Sequence, residues 1–105
     1  MSENNAAADV EAVFEFNMNR RSPVFDGYRT THQVTGTGRL VGIHHYTDTK
    51  MVKPGGTARG TITFSDPDVC PHCLSAGKVI QIIEGKDTVV GQAVITAVNN
   101  PLLAE

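Results

Sequence analysis

Two cysteines in the second half of the chain have a spacing that could do chemistry, in the segment Cys70-Pro71-His72-Cys73. A C-x-x-C pair can cycle between dithiol and disulfide, and an adjacent imidazole would lower the pKa of a neighbouring thiol. The same spacing occurs in zinc knuckles, with His72 as a further candidate ligand. The redox motif is expected next to a helix. A tetrahedral zinc site needs further ligands besides the two cysteines. Because neither a helix nor a second ligand pair is evident, two reduced loop cysteines are the favoured interpretation.

The other histidines are the remaining candidates for ligands or catalysts. His44 and His45 are adjacent, so on a β-strand their side chains point to opposite faces and cannot form a simple ligand pair. We expect one of them to be packed and the other to be solvated. Asp66 and Asp68 lie in a turn and are interpreted as caps rather than as an acid/base pair. With no nucleophile elbow in the chain either, the sequence predicts no enzyme and favours no metal site or cofactor.

The segments that must position these residues read as β-strands, because apolar and polar residues alternate along them. Six segments share this pattern: 10–18, 28–34, 39–46, 57–64, and the two arms of a hairpin at 78–84 and 88–98. Turn-forming Gly, Pro and Asp residues separate them, and 65–77 reads as an irregular connection with room for one helical turn. No amphipathic helix is evident. The sequence therefore predicts an all-β barrel or sandwich, and closure into a barrel would remove exposed strand edges.

The alternation also predicts which side chains share a face. On 57–64 the even-numbered residues face the core, and on 28–34 the even-numbered residues, including His32, share one side. The arm 88–98 carries Val, Ile or Ala on both faces. We therefore expect this last strand to be buried on both sides.

Length and composition limit the class of protein. A chain of 105 residues has room for one domain with a modest core. Its composition, 40% hydrophobic and 19% charged, is that of an ordinary globular protein. No apolar run approaches the ~20 residues that a membrane-spanning helix needs, and the polar residues at 1–12 do not resemble a secretory signal. We expect a cytoplasmic protein whose residues 1–9 form a flexible tail.

The charge is unevenly distributed along the chain. The formal net charge is −2, but residues 20–59 contain seven of the nine basic residues and only two acidic ones, a formal +5. The remainder of the chain carries −7. Bulk nucleic-acid binding is therefore not indicated, although one face of the fold could be basic if these residues gather in space. The alternative is that they are spread over a solvated surface.

Three short segments occur in a familiar order. They are RSPVFDGYR at 21–29, MVKPG at 51–55 and EGKDTVVGQAVI at 84–95. In that order they resemble R-x-T-P-F-x-x-G-Y-R-P, M-V-x-P-G-D and R-E-G-x-R-T-V-G-A-G-V-V of the third, C-terminal domain of elongation factor Tu. The resemblance extends over residues 10–99 of this chain.

The resemblance implies a six-stranded antiparallel Greek-key β-barrel at residues 10–100, followed by a short C-terminal tail at 101–105. It also implies a free-standing copy of one domain, because the chain has no G-x-x-x-x-G-K-[ST] phosphate loop and no room for a GTPase domain. Nucleotide binding is therefore not expected. The chain departs from the pattern at Thr30, where the family has Pro, and at 42–48, which has no counterpart there.

In the factor, this domain contacts the T-stem of aminoacyl-tRNA and packs against the GTPase domain. The resemblance therefore implies a non-catalytic module that binds a protein or a structured RNA of the translation machinery, or that mimics the factor toward such a partner. The residues assigned to this surface are Arg20, Arg21, Phe25, Tyr28, Arg29 and Arg59. Its arginines would contact phosphates without reading sequence. The alternative is a small thiol or zinc-binding protein that uses Cys70, His72 and Cys73.

Overall fold

The fold is built from short strands whose alternate residues are buried. The structure, a computed structural model, describes residues 8–105. Its strands are β1 (Val10–Phe16), β2 (Val24–Phe25), β3 (Arg29–Gln33), β4 (Arg39–Tyr46), β5 (Met51–Val52), β6 (Thr57–Phe64), β7 (Val79–Glu84) and β8 (Thr88–Val98), with a 3₁₀ turn at Pro67–Val69. Along β4 and β6 every second residue is buried, as expected where one face meets a core and the other meets solvent.

Six of the strands close into a barrel in the order β1-β6-β4-β3-β7-β8, and every neighbouring pair is antiparallel. Strands β3, β4 and β6 form a meander and β1 lies beside β6, which is a Greek-key arrangement. The predicted all-β, six-stranded antiparallel Greek-key barrel is therefore confirmed. Strands β2 and β5 pair with each other in a separate two-stranded ribbon. Within residues 8–105 no helix is long and apolar enough to cross a membrane.

The barrel interior is filled by side chains from all six strands. Two glycines allow neighbouring strands of the barrel to approach each other closely. A Cβ added to Gly60 would lie 2.0 Å from the carbonyl oxygen of His45, and one added to Gly91 would lie 2.4 Å from that of Glu15. Both strands therefore need a residue without a side chain at these positions.

Strand β8 differs from its expected burial. Ala93 and Ile95 are fully buried in the barrel interior, but Val94 is only half-buried and Thr96 is exposed. The prediction that this strand is covered on both sides is wrong, because no further layer formed by residues 8–105 covers its outward-facing side chains. A bulge opposite β7, where the register shifts at Ile82, turns the preceding Val90 inward as well.

The two ends of the described chain are packed against the barrel. Residues 1–7 of the expected N-terminal tail lie outside the described residues, but Asp9 accepts a hydrogen bond from the Phe64 N–H at 2.7 Å and is held in place. At the other end, Leu103 is fully buried, and Ala104 pairs with Leu74 in a parallel bridge. The assignment of residues 101–105 to a tail is therefore corrected, because burial of Leu103 fixes this segment on the barrel.

Candidate functional site

A cluster of charged and aromatic side chains joins the loop before β3 to the end of β7. The carboxylate of Glu84 accepts hydrogen bonds from both the guanidinium of Arg20 and the hydroxyl of Tyr28. The guanidinium also lies over the Tyr28 ring, 5.4 Å from its centroid. Burial, followed by the hydrogen bond to Glu84, raises the pKa of Tyr28 to about 12. This cluster fastens the loop to the β7–β8 hairpin.

Arg20 is consequently occupied by contacts within the chain. Besides Glu84, it donates to the carbonyl of Ser22 at 3.1 Å, to its hydroxyl at 3.2 Å and to the carbonyl of Pro23 at 3.4 Å. Only 22% of its side chain is exposed. Structural contacts therefore account for Arg20, which was predicted as a phosphate contact.

Arg21 is exposed and lines an open groove beside the hairpin. The groove has a volume of about 370 Å³, and its lining residues are Asn19, Arg20, Arg21, Ser22, Glu84, Gly85, Thr88 and Val90. Its walls combine positive and negative side chains with backbone and hydroxyl groups. The groove is thus a polar surface feature beside the cluster.

The ribbon formed by β2 and β5 displays an exposed apolar pair. Phe25 is directly opposite Met51, and Val24 is directly opposite Val52. The valines are 2% and 3% exposed, whereas Phe25 is 60% exposed and Met51 is 37% exposed. Because successive residues of a strand point to opposite faces, the valine pair anchors the ribbon on the barrel and the other pair faces solvent.

The remaining predicted arginines are on strands of the barrel. Arg29 is exposed at the start of β3, opposite Ile43. Arg59 is exposed on β6 and lines a different groove, together with Val13 and Thr96. The structure therefore brings Arg20, Arg21 and Tyr28 together, but it does not join Arg59 to them.

Part of the positive charge of residues 20–59 is neutralised by the β7–β8 hairpin. Arg39 donates to the Asp87 carboxylate at 2.7 Å and to the Lys86 carbonyl at 2.8 Å. Arg20 is paired with Glu84 in the same hairpin. The basic segment and the acidic hairpin thus meet in space, and the fold does not present all of these basic residues as one uninterrupted surface.

The two cysteines lie side by side in the connection after the 3₁₀ turn. Both thiols are free, with Cys70 partly exposed and Cys73 only 8% exposed. A turn at Pro71 and His72 separates them. Burial, followed by the neighbouring Cys70, raises the pKa of Cys73 to about 12. Within residues 8–105, no group of three or more His, Cys, Asp or Glu side chains is placed to hold a metal ion. His72 instead donates from Nδ1 to the carbonyl of Ala104 at 2.7 Å.

The barrel interior contains a hydrogen-bonded chain of two imidazoles and a phenol. Nε2 of His32 lies 2.7 Å from Nε2 of His44, and Nδ1 of His44 lies 2.9 Å from the hydroxyl of Tyr46. Nδ1 of His32 lies 3.0 Å from the carbonyl of Leu40. Both imidazoles are fully buried, and Phe14 packs against His44 with the ring centroids 4.3 Å apart.

The partners determine where the protons of this chain lie. The Leu40 carbonyl can only accept, so His32 carries its proton on Nδ1 and presents an unprotonated Nε2. His44 must then donate from Nε2, which leaves its Nδ1 to accept from the Tyr46 hydroxyl. Burial lowers the pKa of His32 to about 4 and that of His44 well below its usual value, the latter with help from charge repulsion by His32 and His45. Both imidazoles are therefore neutral near pH 7.

This histidine chain was missed at the level of sequence. The expectation that one of His44 and His45 is packed and the other solvated is confirmed, since His44 is fully buried and His45 is exposed. The alternation also placed His32 on a shared face. No sequence signal indicated that it meets His44, because they are not cross-strand partners: Thr30 and Gly42 form the pair between them.

Comparison with models of known protein families and with curated proteins found no match. The likeness to the third domain of elongation factor Tu therefore depends on the three short motifs of the sequence.

Proposed function

We propose that this chain is a non-catalytic binding module, built like the third domain of elongation factor Tu, that docks on a protein of the translation machinery. The docking surface is the ribbon surface, defined as Phe25 and Met51 with the flanking Lys50 and Lys53. The observation that carries the proposal is the exposure of Phe25 and Met51 as a directly opposed pair, above a buried valine pair. Exposed aromatic and Met side chains are enriched at the centres of protein interfaces.

The motifs that resemble the factor meet in this ribbon. Strand β2 lies within the segment 21–29 and strand β5 within the segment 51–55, and these two strands hydrogen-bond to each other. In the factor, this region lies near the surface that faces the GTPase domain. The equivalent ribbon carries exposed side chains that a protein which recognises the factor could contact.

A protein partner fits the surface better than structured RNA does. Arg20 is committed to Glu84 and Tyr28, and Arg39 to the hairpin, so fewer cations remain for phosphates. An apolar pair surrounded by charged residues is the arrangement of a protein interface, with an apolar centre and a polar rim. The lysines at 50 and 53 are both exposed. They favour a partner whose rim is acidic.

The test is affinity capture from a native lysate at ~0.1 M and ~0.5 M salt, since this range separates screened charge contacts from apolar ones. We expect a protein that stays bound at high salt and is lost with Phe25→Ser. The matched control is Val79→Ser, because Val79 is also a large exposed residue, at 49%, on another strand of the barrel. With the purified partner, Phe25→Ala should weaken binding by at least about tenfold, as expected for an interface hot spot.

Two outcomes would contradict a protein-binding role. Equal loss of the captured protein with Val79→Ser and Phe25→Ser would show non-specific adhesion. Capture that is nuclease-sensitive and lost at high salt, with a salt slope reduced by about one contact in Arg21→Ala, would show that RNA is the partner.

A further inference from the structure

The C-x-x-C segment is held in a turn that has Cys70 and Cys73 at its two ends. Cys70 closes the 3₁₀ turn by donating its backbone N–H to the Pro67 carbonyl at 3.3 Å. Its side chain packs over the turn between β3 and β4, where a Cβ added to Gly38 would lie 3.4 Å from Cys70 Sγ. Cys73 follows directly after the turn at Pro71 and His72, and both cysteines belong to the same packed cluster, Cys73 within it and Cys70 against it. The pair therefore spans a single turn in one packing environment before any oxidation occurs.

The residue between the thiols keeps this turn closed. His72 has a positive φ of 56°, a left-handed conformation that a non-glycine residue rarely adopts. Its backbone N–H donates to the Leu102 carbonyl at 2.8 Å, and Leu74 donates to the Leu103 carbonyl at 2.9 Å. The segment 102–105 thus holds the turn in place through backbone hydrogen bonds. Surrounding structure that maintains such a conformation is typical of functional turns.

From this geometry we infer that Cys70 and Cys73 are a reversible redox modification site, which a hydroperoxide converts from the dithiol to an intramolecular disulfide. This role is independent of the ribbon surface.

The reaction proceeds in two balanced steps. The Cys70 thiolate attacks the peroxide, the O–O bond breaks, and the products are Cys70 sulfenic acid and, after proton uptake, water or an alcohol. The Cys73 sulfur then attacks the sulfenic sulfur, the S–O bond breaks, and the hydroxyl leaves with the Cys73 proton as a second water. Two thiols are oxidised by two electrons, and the peroxide is reduced by two.

The burial of the two sulfurs assigns their roles. Cys70 is the more exposed thiol and is the one that an external peroxide can reach. Cys73 is buried, and because burial raises its pKa to about 12 it is protonated at pH 7. Cys73 is therefore the resolving thiol. The Lys78 ammonium, which donates to the Cys73 carbonyl at 2.7 Å, favours its ionisation once Cys70 is oxidised.

The test is to treat the reduced full chain with hydrogen peroxide, block remaining thiols with N-ethylmaleimide and measure the intact mass. The chain has only these two cysteines, so the mass reports on this pair alone. We expect a monomer that has lost two hydrogens and carries no maleimide, and that returns to two maleimides after dithiothreitol. Retention of two reactive thiols, disulfide-linked dimers, or Cys70 sulfinic acid in place of the disulfide would overturn the proposal.

Single variants separate the two roles. Cys73→Ser should accumulate a sulfenic acid at Cys70 that dimedone traps, whereas Cys70→Ser should consume peroxide at least about tenfold more slowly, because its remaining thiol is buried and protonated. Equal rates in the two variants would contradict the assignment. Circular dichroism of each variant verifies the barrel. If a variant does not fold, the mass of the unmodified chain still decides the proposal.

Discussion

Nε2 of His32 donates nothing and accepts the Nε2–H of His44, 2.7 Å away in the barrel interior. His32 must be neutral for its Nε2 to accept, and His44 must be neutral for its Nδ1 to accept from the Tyr46 hydroxyl, since a protonated imidazole has two donors and no acceptor. It extends from the Leu40 carbonyl at one end to the Tyr46 hydroxyl at the other. Every nitrogen of the two rings has a partner, so the polar chain is fully satisfied inside an apolar core.

Protonation of this pair predicts loss of stability in acid. Unfolded histidine has a pKa of about 6.5 and His32 in the barrel one of about 4, so between these values the unfolded chain binds more protons than the folded chain. The stabilisation is complete above pH 6.5 and is lost as the pH falls toward 4. His32 alone should lower the free energy of unfolding by about 3 kcal/mol over that range, measured by urea denaturation at successive pH values.

Carboxylates also titrate toward pH 4, so matched variants isolate the histidine contribution. His45→Gln changes an exposed imidazole and should keep the part of the pH dependence that is due to His32. The double variant His32→Leu/His44→Leu should lose the part between pH 6.5 and 5, whatever its stability at neutral pH. An unchanged profile in the double variant would show that the buried pair does not cause the acid sensitivity.

Removing the Tyr46 hydroxyl, the donor at the end of the hydrogen-bonded histidine chain, should destabilise the barrel. In Tyr46→Phe, Nδ1 of His44 loses its only donor and becomes an unsatisfied buried acceptor, at a cost of about 1–3 kcal/mol in the free energy of unfolding. Tyr28→Phe is the comparison. Its hydroxyl bonds to Glu84, which is 29% exposed and can be solvated instead, so its loss should be smaller. Equal losses would argue against a special role for the buried chain.

Gly42 provides the space in which the two imidazoles meet. A Cβ there would lie 2.7 Å from Ile62 Cγ2, 3.0 Å from Phe64 Cδ1 and 3.3 Å from His32 Cε1. Gly42→Ala should therefore lower the free energy of unfolding by about 1–3 kcal/mol through overpacking. A Cβ at Gly36 meets nothing within 4 Å, so Gly36→Ala should leave the free energy of unfolding nearly unchanged or raise it slightly. Thermal and urea denaturation of both variants would measure the difference.

Burial of the C-terminal segment can be tested with two neighbouring leucines. Leu103 is fully buried and Leu102 is 39% exposed. Leu103→Ala should lower the free energy of unfolding by about 2–5 kcal/mol, the usual cost of such a cavity, whereas the exposed Leu102→Ala should change it by no more than about 0.5 kcal/mol. If both variants were as stable as the parent, residues 101–105 would be a tail after all.

The sequence alone determined the strands and the class of fold. The segments predicted at 39–46 and 57–64 coincide with β4 and β6. Side chains of a strand alternate between its two faces. A half-buried strand can therefore be recognised from a short run of alternating apolar and polar residues. The strand pattern left a barrel or a sandwich open. Closure was favoured because it removes exposed strand edges, and the resemblance implied it.

Only the tertiary structure decided which side chains meet. Arg20 and Glu84 are 64 positions apart in the sequence. His32 and His44 are on neighbouring strands but are not paired residues, and the Thr30–Gly42 pair lies between them in the ladder. These contacts depend on strand register and on barrel closure, which are properties of the whole chain. The number of arginines is known from the sequence, but only the closed barrel shows that carboxylates of the β7–β8 hairpin pair with two of them. Likewise, only the structure shows that the buried Leu103 fixes the C-terminal segment.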